Sequence, residues 1–170
     1  MKKKTILLII GVLLLIDARA DQASLASRGK ADVVSAHAEL IKDLNHSYSI
    51  KFVIDNNGAS DIDLFESYLP WRSQLALNLV AIPLTWPSGP VPSIIPLEDP
   101  TMNRVILKAG GEISGKIKLR YYFPRLGVLL EKSDVAVFWS FQIVDMPMSD
   151  RYGRFSGFFI LPRNGLHHDK

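Results

Sequence analysis

A run of acidic and amide side chains, DNNGASDIDLFE from Asp55 to Glu66, is the first candidate for chemistry in this chain. Oxygen donors of this kind bind calcium in loops of about twelve residues, which also need a glycine at the sixth position for a sharp bend. Donors stand at positions one, three, nine and twelve of the run: Asp55, Asn57, Asp63 and Glu66. Position five is Ala59 and position six is Ser60, so the backbone requirement of a calcium loop is not met.

The same residues fit a turn between two strands. The asparagines and glycine of DNNG tolerate positive φ, and SDIDLF can begin a second strand with Ile62 and Leu64 directed inward. We therefore predict a turn at this place. A less regular cation site formed by Asp55, Asp61 and Asp63 is the alternative.

Support for catalysis is sparse. The histidines are His37, His46, His167 and His168, and the last two are adjacent near the end of the chain, where they have no fixed geometry for a metal. The chain has no G-x-S-x-G, H-E-x-x-H, phosphate-loop or dinucleotide pattern. We predict no catalytic residue, no metal and no cofactor. The alternative is a hydrolase or metal-dependent enzyme in which His37 or His46 meets acidic side chains in a cleft.

Basic residues concentrate between Arg104 and Lys132, where seven cations accompany two carboxylates. Lys116, Lys118 and Arg120 occupy alternate positions, so a single strand would project all three from one face. Such a positive stripe suits an acidic protein surface or an anionic polymer of the cell envelope. Lysines on a strand also discourage pairing with other chains, so protection of a sheet edge is the alternative.

Two tryptophans accompany a proline-rich segment. The segment from Ile82 to Thr101 holds six of the ten prolines and is predicted to be a long loop. Trp71 in LPWRS precedes this segment, and Trp86 in LTWPS lies near its start. A loop tryptophan can anchor a partner, or it can close the end of a β-sandwich. We predict a partner-binding surface formed by Trp71, Arg72, Trp86, Lys116, Lys118 and Arg120.

The first twenty residues have the pattern of a secretory signal peptide. Three lysines precede an apolar run from Ile6 to Ile16. Ala18 and Ala20 are the small residues that a signal peptidase recognises before its cleavage site. The apolar run is about half of the roughly 20 residues that a membrane-spanning helix needs. We therefore expect a periplasmic or secreted protein with no membrane span after removal of the leader, and a retained membrane anchor is the alternative.

The net charge bears on which partners the protein can attract, and the cysteine content bears on how its fold is stabilised. Removal of residues 1–20 takes away four cationic residues and one carboxylate, so a chain of net charge +3 becomes neutral. A neutral protein has no overall electrostatic attraction to nucleic acid. The chain has no cysteine, so its fold must be held by an apolar core without disulfides. We expect a monomer.

Period-two alternation is the dominant structural signal. Strong strand patterns lie at 48–54, 113–121, 135–143 and 155–161, and weaker ones at 33–40, 62–65, 75–82 and 105–107. Turn-rich stretches separate them, among them KAGGE and FPRLG. We predict an all-β, immunoglobulin-like antiparallel β-sandwich of seven or eight strands over residues 31–163, with a flexible lead-in at 21–30 and a tail at 164–170. A closed barrel is the competing architecture, and no amphipathic helix is expected after the leader.

The order of these features resembles immunoglobulin-like extracytoplasmic modules of the intracellular proteinase inhibitor type. A strand ending in DNNG, a short IDLF strand, a long connection, ILKAGGEISGKIKL and a late VAVFWSFQI carry the resemblance, with LKAGGE from Leu107 to Glu112 introducing the strand before the last hairpin. The resemblance implies a β-sandwich without enzymatic activity. We expect an exported, non-enzymatic binding protein of inhibitor, immunity or accessory type, with an envelope-polymer hydrolase or an adhesive subunit as alternatives.

Overall fold

The alternation in YSIKFVI produces a strand whose inward side chains are fully buried. The computed structural model of the protein describes residues 33–43, 47–85, 89–94, 103–144 and 151–163. Ile50, Phe52 and Ile54 have no exposed surface, and Lys51 between them is partly exposed. Successive side chains of a strand point to opposite faces, so these residues place one face on the core. On the opposite face Ser49 and Val53 are buried as well, so β2 is less one-sided than its alternation predicts.

Eight strands occur in the described residues, and they match all eight predicted strand regions. They are β1 (Val34–Lys42), β2 (Tyr48–Asn56), β3 (Ile62–Phe65), β4 (Leu77–Pro83), β5 (Arg104–Leu107), β6 (Glu112–Lys118), β7 (Val135–Val144) and β8 (Arg151–Leu161). The protein is thus mostly β-structure, as predicted.

The strands form three antiparallel sheets. One sheet has the order β1-β2-β6, a second has the order β4-β7-β8, and β3 pairs with β5 in a third. β2 and β7 are therefore the central strands of the two larger sheets, and β6 lies at an edge. The β7–β8 hairpin carries a register shift after Ile143, and Gly153 opposite it has a φ of 112°, which glycine tolerates without steric cost.

Aromatic side chains join the inner faces of the two larger sheets. The Phe52 ring on β2 meets Trp139 and Phe141 of β7 edge-on, with centroid distances of 5.5 and 5.4 Å. One hydrophobic cluster takes buried residues from all eight strands. Burial of aromatic side chains contributes about 1.5–3 kcal/mol each, so this cluster supplies the stability that disulfides cannot.

The segment after β6 differs from the prediction. The strand pattern was expected to run to Tyr121, but β6 ends at Lys118 and is followed by two short helices, α1 (Leu119–Tyr122) and α2 (Leu126–Leu130). Proline disfavours helical conformation in the residue before it, and α1 ends just before Phe123-Pro124. The helices bury Leu119, Tyr122, Leu126 and Leu130. Each helix is too short to show a helical period in the sequence.

Among the described residues, no helix has the length and apolar character needed to cross a membrane.

Candidate functional site

The acidic run from Asp55 to Glu66 contains a turn between two strands. β2 ends at Asn56 and β3 begins at Ile62, with Ile62 and Leu64 buried as predicted. The Asn56 side chain is buried, and its amide donates to the carbonyl oxygens of Ser60 and Leu107 at 2.8 and 3.1 Å. These bonds tie the turn to the end of β5.

The three carboxylates of the alternative cation site have separate protein partners. Asp61 accepts hydrogen bonds from Lys108 Nζ at 2.7 Å and from the Ala109 N–H at 2.9 Å, and Asp63 pairs with Arg104. Asp55 accepts a hydrogen bond from Ser35 and lies near His37. In the part of the chain that the structure describes, no group of three acidic or histidine side chains could hold a metal ion.

Asp61 gives a prediction about acid stability. The hydrogen bond from Lys108 is the main cause that lowers the Asp61 pKa below its ordinary value of 3.8, and the Ala109 N–H adds to it. A lowered folded-state pKa contributes stability above the unfolded value, and this contribution is lost as pH falls through the folded value. The melting temperature should therefore fall as pH is lowered below about 4, and less steeply in Asp61→Asn. Thermal unfolding at several pH values tests this, with exposed Glu131→Gln as the control; identical slopes in Asp61→Asn and wild type would contradict it.

Within the described residues, His37 belongs to no group of three acidic or histidine side chains that could hold a metal ion. It projects from the exposed face of β1, with half of its side chain accessible, and its Nδ1 lies 3.7 Å from an Asp55 carboxylate oxygen. His46, His167 and His168 fall outside the described residues.

Trp71 lies flat against the edge strand β6. An added Cβ on Gly115 would fall 2.0 Å from Trp71 Cγ and 2.2 Å from Cδ2, so the indole ring covers the glycine directly. Trp71 is partly buried and packs against the core cluster. A glycine in the middle of a strand often marks such a close approach. Both roles considered for Trp71 are compatible with this position, since one ring face is buried and the residue stays partly accessible.

Two of the predicted basic residues are paired with carboxylates. Arg72 Nε lies 2.9 Å from Glu66, and Lys116 Nζ lies 3.0 Å from Asp43 across the β1-β2-β6 sheet. The hydrogen bond from Lys116, followed by that from Ser47, lowers the pKa of Asp43. Both pairs are partly exposed, so each contributes little to stability, and each cation is partly neutralised.

The other two basic residues surround a tyrosine. Lys118 Nζ lies 5.9 Å from the centre of the Tyr121 ring, the Arg120 guanidinium lies 5.1 Å from it, and Arg120 Nη2 donates to the Tyr121 hydroxyl at 3.3 Å. The Arg120 hydrogen bond and then its charge lower the Tyr121 pKa, with Lys118 adding to the effect. Within the described residues, neither Lys118 nor Arg120 has a carboxylate within 4.0 Å.

The predicted stripe on a single strand is wrong for Arg120. Lys116 and Lys118 share the exposed face of β6, but Arg120 belongs to α1, where the chain has left the sheet. Arg120 and Lys118 both lie over the ring of Tyr121, the next residue of α1. The cations therefore form a cluster at the end of β6 and not a line along it.

A surface depression of about 260 Å³ connects most of the predicted residues. Its walls come from the 71–74 segment, the end of β6 and α1: Trp71, Arg72, Ser73, Gln74, Lys116, Ile117, Lys118, Tyr121 and Tyr122. Four of the six predicted partner-binding residues line it, and Arg120 contacts its wall through Tyr121. Trp86 lies outside the described residues.

Sequence reasoning missed Tyr121. The alternating pattern assigned it to the buried face of a strand, whereas 57% of its surface is exposed. The signal that could have found it is local, because a tyrosine directly after Lys118 and Arg120 is placed among cations whichever conformation the chain adopts. We refer to Trp71, Arg72, Lys116, Lys118, Arg120 and Tyr121 as the cationic cluster.

Comparisons with known proteins do not assign a family. No protein-family model matches the chain, and no curated protein matches it. Among solved structures, the chain is similar to the X-ray structure of Northeast Structural Genomics Consortium target SoR45, with 12% identity and a TM-score of 0.33 over 81% of this chain and 90% of that chain.

Proposed function

We propose that this protein is an exported, non-enzymatic binding protein that captures an acidic segment of another protein through the cationic cluster. The observation that carries the proposal is the position of Lys118 and Arg120 around the Tyr121 ring, without a carboxylate partner among the described residues, beside the depression that Trp71 and Arg72 also line. Cations left without counter-ions at a concave surface favour an anionic ligand.

The composition of the cluster favours a peptide over a long polymer. Tryptophan, tyrosine and arginine are the residue types enriched at protein interfaces, and the depression is compact and bounded by three segments of the chain. Arg72 and Lys116 already share their charge with Glu66 and Asp43, so the unneutralised charge is concentrated at Lys118 and Arg120. In this proposal an acidic side chain meets these two cations, and Trp71 offers apolar surface in the same depression.

Protection of the β6 edge remains a second role for the lysines. β6 pairs only with β2 among the described strands, and Lys116 and Lys118 project from its exposed face. Charged side chains at such an edge discourage pairing with other chains. This role accounts for lysines on β6, but it does not account for Arg120 and Tyr121, which lie beyond the strand.

The remaining parts of the proposal rest on sequence. The lysine-rich start, the apolar run and the small residues before position 21 support export to the periplasm or the medium. The antiparallel sheets with aromatic contacts between β2 and β7 are compatible with an immunoglobulin-like sandwich, the architecture that we propose for this chain. Such sandwiches frequently bind partners without catalysis.

Charge reversal at the cluster tests the function. In Lys118→Glu/Arg120→Glu, binding of a polyglutamate peptide should fall at least about tenfold, because two attractive charges become repulsive. The melting temperature should stay nearly unchanged, since surface substitutions of this kind usually change stability by less than about 0.5 kcal/mol. Calorimetric titration and thermal unfolding measure the two quantities.

The control applies the same charge change elsewhere. Lys132→Glu/Arg154→Glu replaces two exposed cations that do not line the depression, so it should retain most of the affinity. Equal losses in both double variants would mean that net charge alone attracts the peptide. Tighter binding of polyphosphate than of polyglutamate, lost in the same variant, would replace the peptide by an anionic polymer as the partner.

A further inference from the structure

A second surface, on the opposite sheet, carries an exposed row of apolar side chains. Val80 on β4, Phe138 on β7 and Phe158 on β8 are direct cross-strand neighbours, and they are 44%, 43% and 50% exposed. The two phenylalanine rings are 5.8 Å apart and tilted by 35°. Contiguous exposed apolar groups of this kind mark interaction sites more often than isolated ones do.

A row of neutral polar side chains runs beside the apolar row. Asn78, Ser140 and Ser156 face one another across the same three strands, two residues along from Val80, Phe138 and Phe158. The strand repeat separates the two rows by about 6.8 Å. None of the three polar side chains makes a hydrogen bond with another described residue. Their donors and acceptors are therefore available to a ligand.

The two rows enclose a shallow depression of about 450 Å³ whose lining is uncharged. The lining residues are Asn78, Val80, Phe138, Trp139, Ser140, Ser156, Gly157 and Phe158. Its volume is within the usual range of about 300–1,000 Å³ for ligand sites, which combine apolar walls with a few polar groups. The next row on the apolar side, Ile82, Ala136 and Ile160, also lacks charge. On the polar side the next pair in register is Gln142 and exposed Arg154, so the nearest charge lies one row outside the lining.

We propose that this face binds an uncharged polysaccharide or oligosaccharide. A pyranose ring presents C–H groups on its faces and hydroxyl groups at its rim, so it can lie on Phe138 and Phe158 while its hydroxyls reach Asn78, Ser140 and Ser156. The lining carries no charge, and Arg154 lies one row outside it, so the lining itself fits the uncharged faces and hydroxyls of a neutral glycan. This site is separate from the cationic cluster and shares none of its residues.

The position of the site on the exposed face of a three-stranded sheet favours a linear ligand. The rows cross all three strands, so a linear chain can contact successive side chains along a row. Phe138 lies on the central strand, whose backbone is hydrogen-bonded to both neighbouring strands, and its ring contacts that of Phe158. The backbone beneath the rings is therefore ordered before binding, which reduces the entropy that binding costs.

Calorimetric titration of the full chain with cellohexaose, chitohexaose and maltohexaose tests the proposal. At least one of these probes should bind with a dissociation constant of about 1 mM or lower. Phe138→Ser/Phe158→Ser should weaken this binding at least about tenfold, and Asn78→Ala/Ser140→Ala should weaken it severalfold. Val128→Ser, which changes an equally exposed apolar residue on α2, should leave it unchanged.

Two further measurements separate this proposal from its competitors. Lys118→Glu/Arg120→Glu should bind the neutral probe as wild type does, so failure of either proposed site leaves the other testable. Failure of the wild type to bind any of the three probes would overturn the proposal. Sedimentation showing a dimer that Phe138→Ser/Phe158→Ser converts to a monomer, with unchanged glycan binding, would assign the face to a second copy of the chain and also overturn it.

Discussion

Phe52→Ala is expected to destabilise the protein by about 3–5 kcal/mol, the largest effect of any single substitution considered. Phe52 has no exposed surface and contacts both Trp139 and Phe141 edge-on. Truncation removes these contacts and leaves a cavity between β2 and β7 that the surrounding strands cannot fully close. Because domains are stable by only about 5–15 kcal/mol, the variant should lose a large share of its stability.

Urea denaturation of Phe52→Ala and Phe158→Ala measures this effect with a matched control. Phe158 is half exposed, so its truncation should cost less than about 1 kcal/mol. Equal destabilisation by the two variants would show that Phe52 does not occupy the shared interior of the sheets.

Gly115→Ala is expected to cost about 1–3 kcal/mol, through a steric conflict with a single side chain. The new methyl group would lie 2.0 Å from Trp71 Cγ, so the indole ring must leave the surface of β6. The displaced ring would also change the wall of the depression beside Lys118 and Tyr121. The variant should therefore lose both stability and affinity for polyglutamate.

A double-mutant cycle with Trp71→Ala identifies the cause. Once the ring is removed, Gly115→Ala should become nearly neutral, because alanine is more favourable than glycine in a strand interior. Gly127→Ala is the glycine control: nothing lies within 4 Å of its added methyl group, and its place in α2 should make the change stabilising by up to about 1 kcal/mol. Additive effects of Gly115→Ala and Trp71→Ala would contradict the contact.

The residues of the proposed partner-binding surface could be predicted in part. Trp71, Arg72, Lys116 and Lys118 could be named from their types and positions, and the structure brings them to one depression. Tyr121 was misplaced because the alternating pattern continues in the sequence past the point where the strand ends. Whether β6 ends at Lys118 or continues to Tyr121 depends on which residues the next apolar side chains pack against. Those residues come from distant parts of the chain, so the sequence pattern around Tyr121 does not reveal them.

The exposed face formed by β4, β7 and β8 shows a related limit of prediction from sequence. Phe138 stands at an outward position of the alternation through Val135, Val137 and Trp139, so its exposure was predictable. Its alignment with Val80 and Phe158 across the three strands was not predictable. Cross-strand register depends on hairpin geometry, on bulges such as the one after Ile143 and on the fit of the two sheets.

The amino-acid sequence by itself determined the strands, because alternation of apolar and polar residues is a local property that reflects which face meets the core. It also determined the turn at Asp55–Glu66, since a calcium loop was excluded by Ser60 at the bend and the strand pattern resumed at Ile62. Only the tertiary structure decided which residues meet. Residues far apart in the chain, such as Trp71 and Gly115, come together through packing whose free energy depends on all eight strands at once.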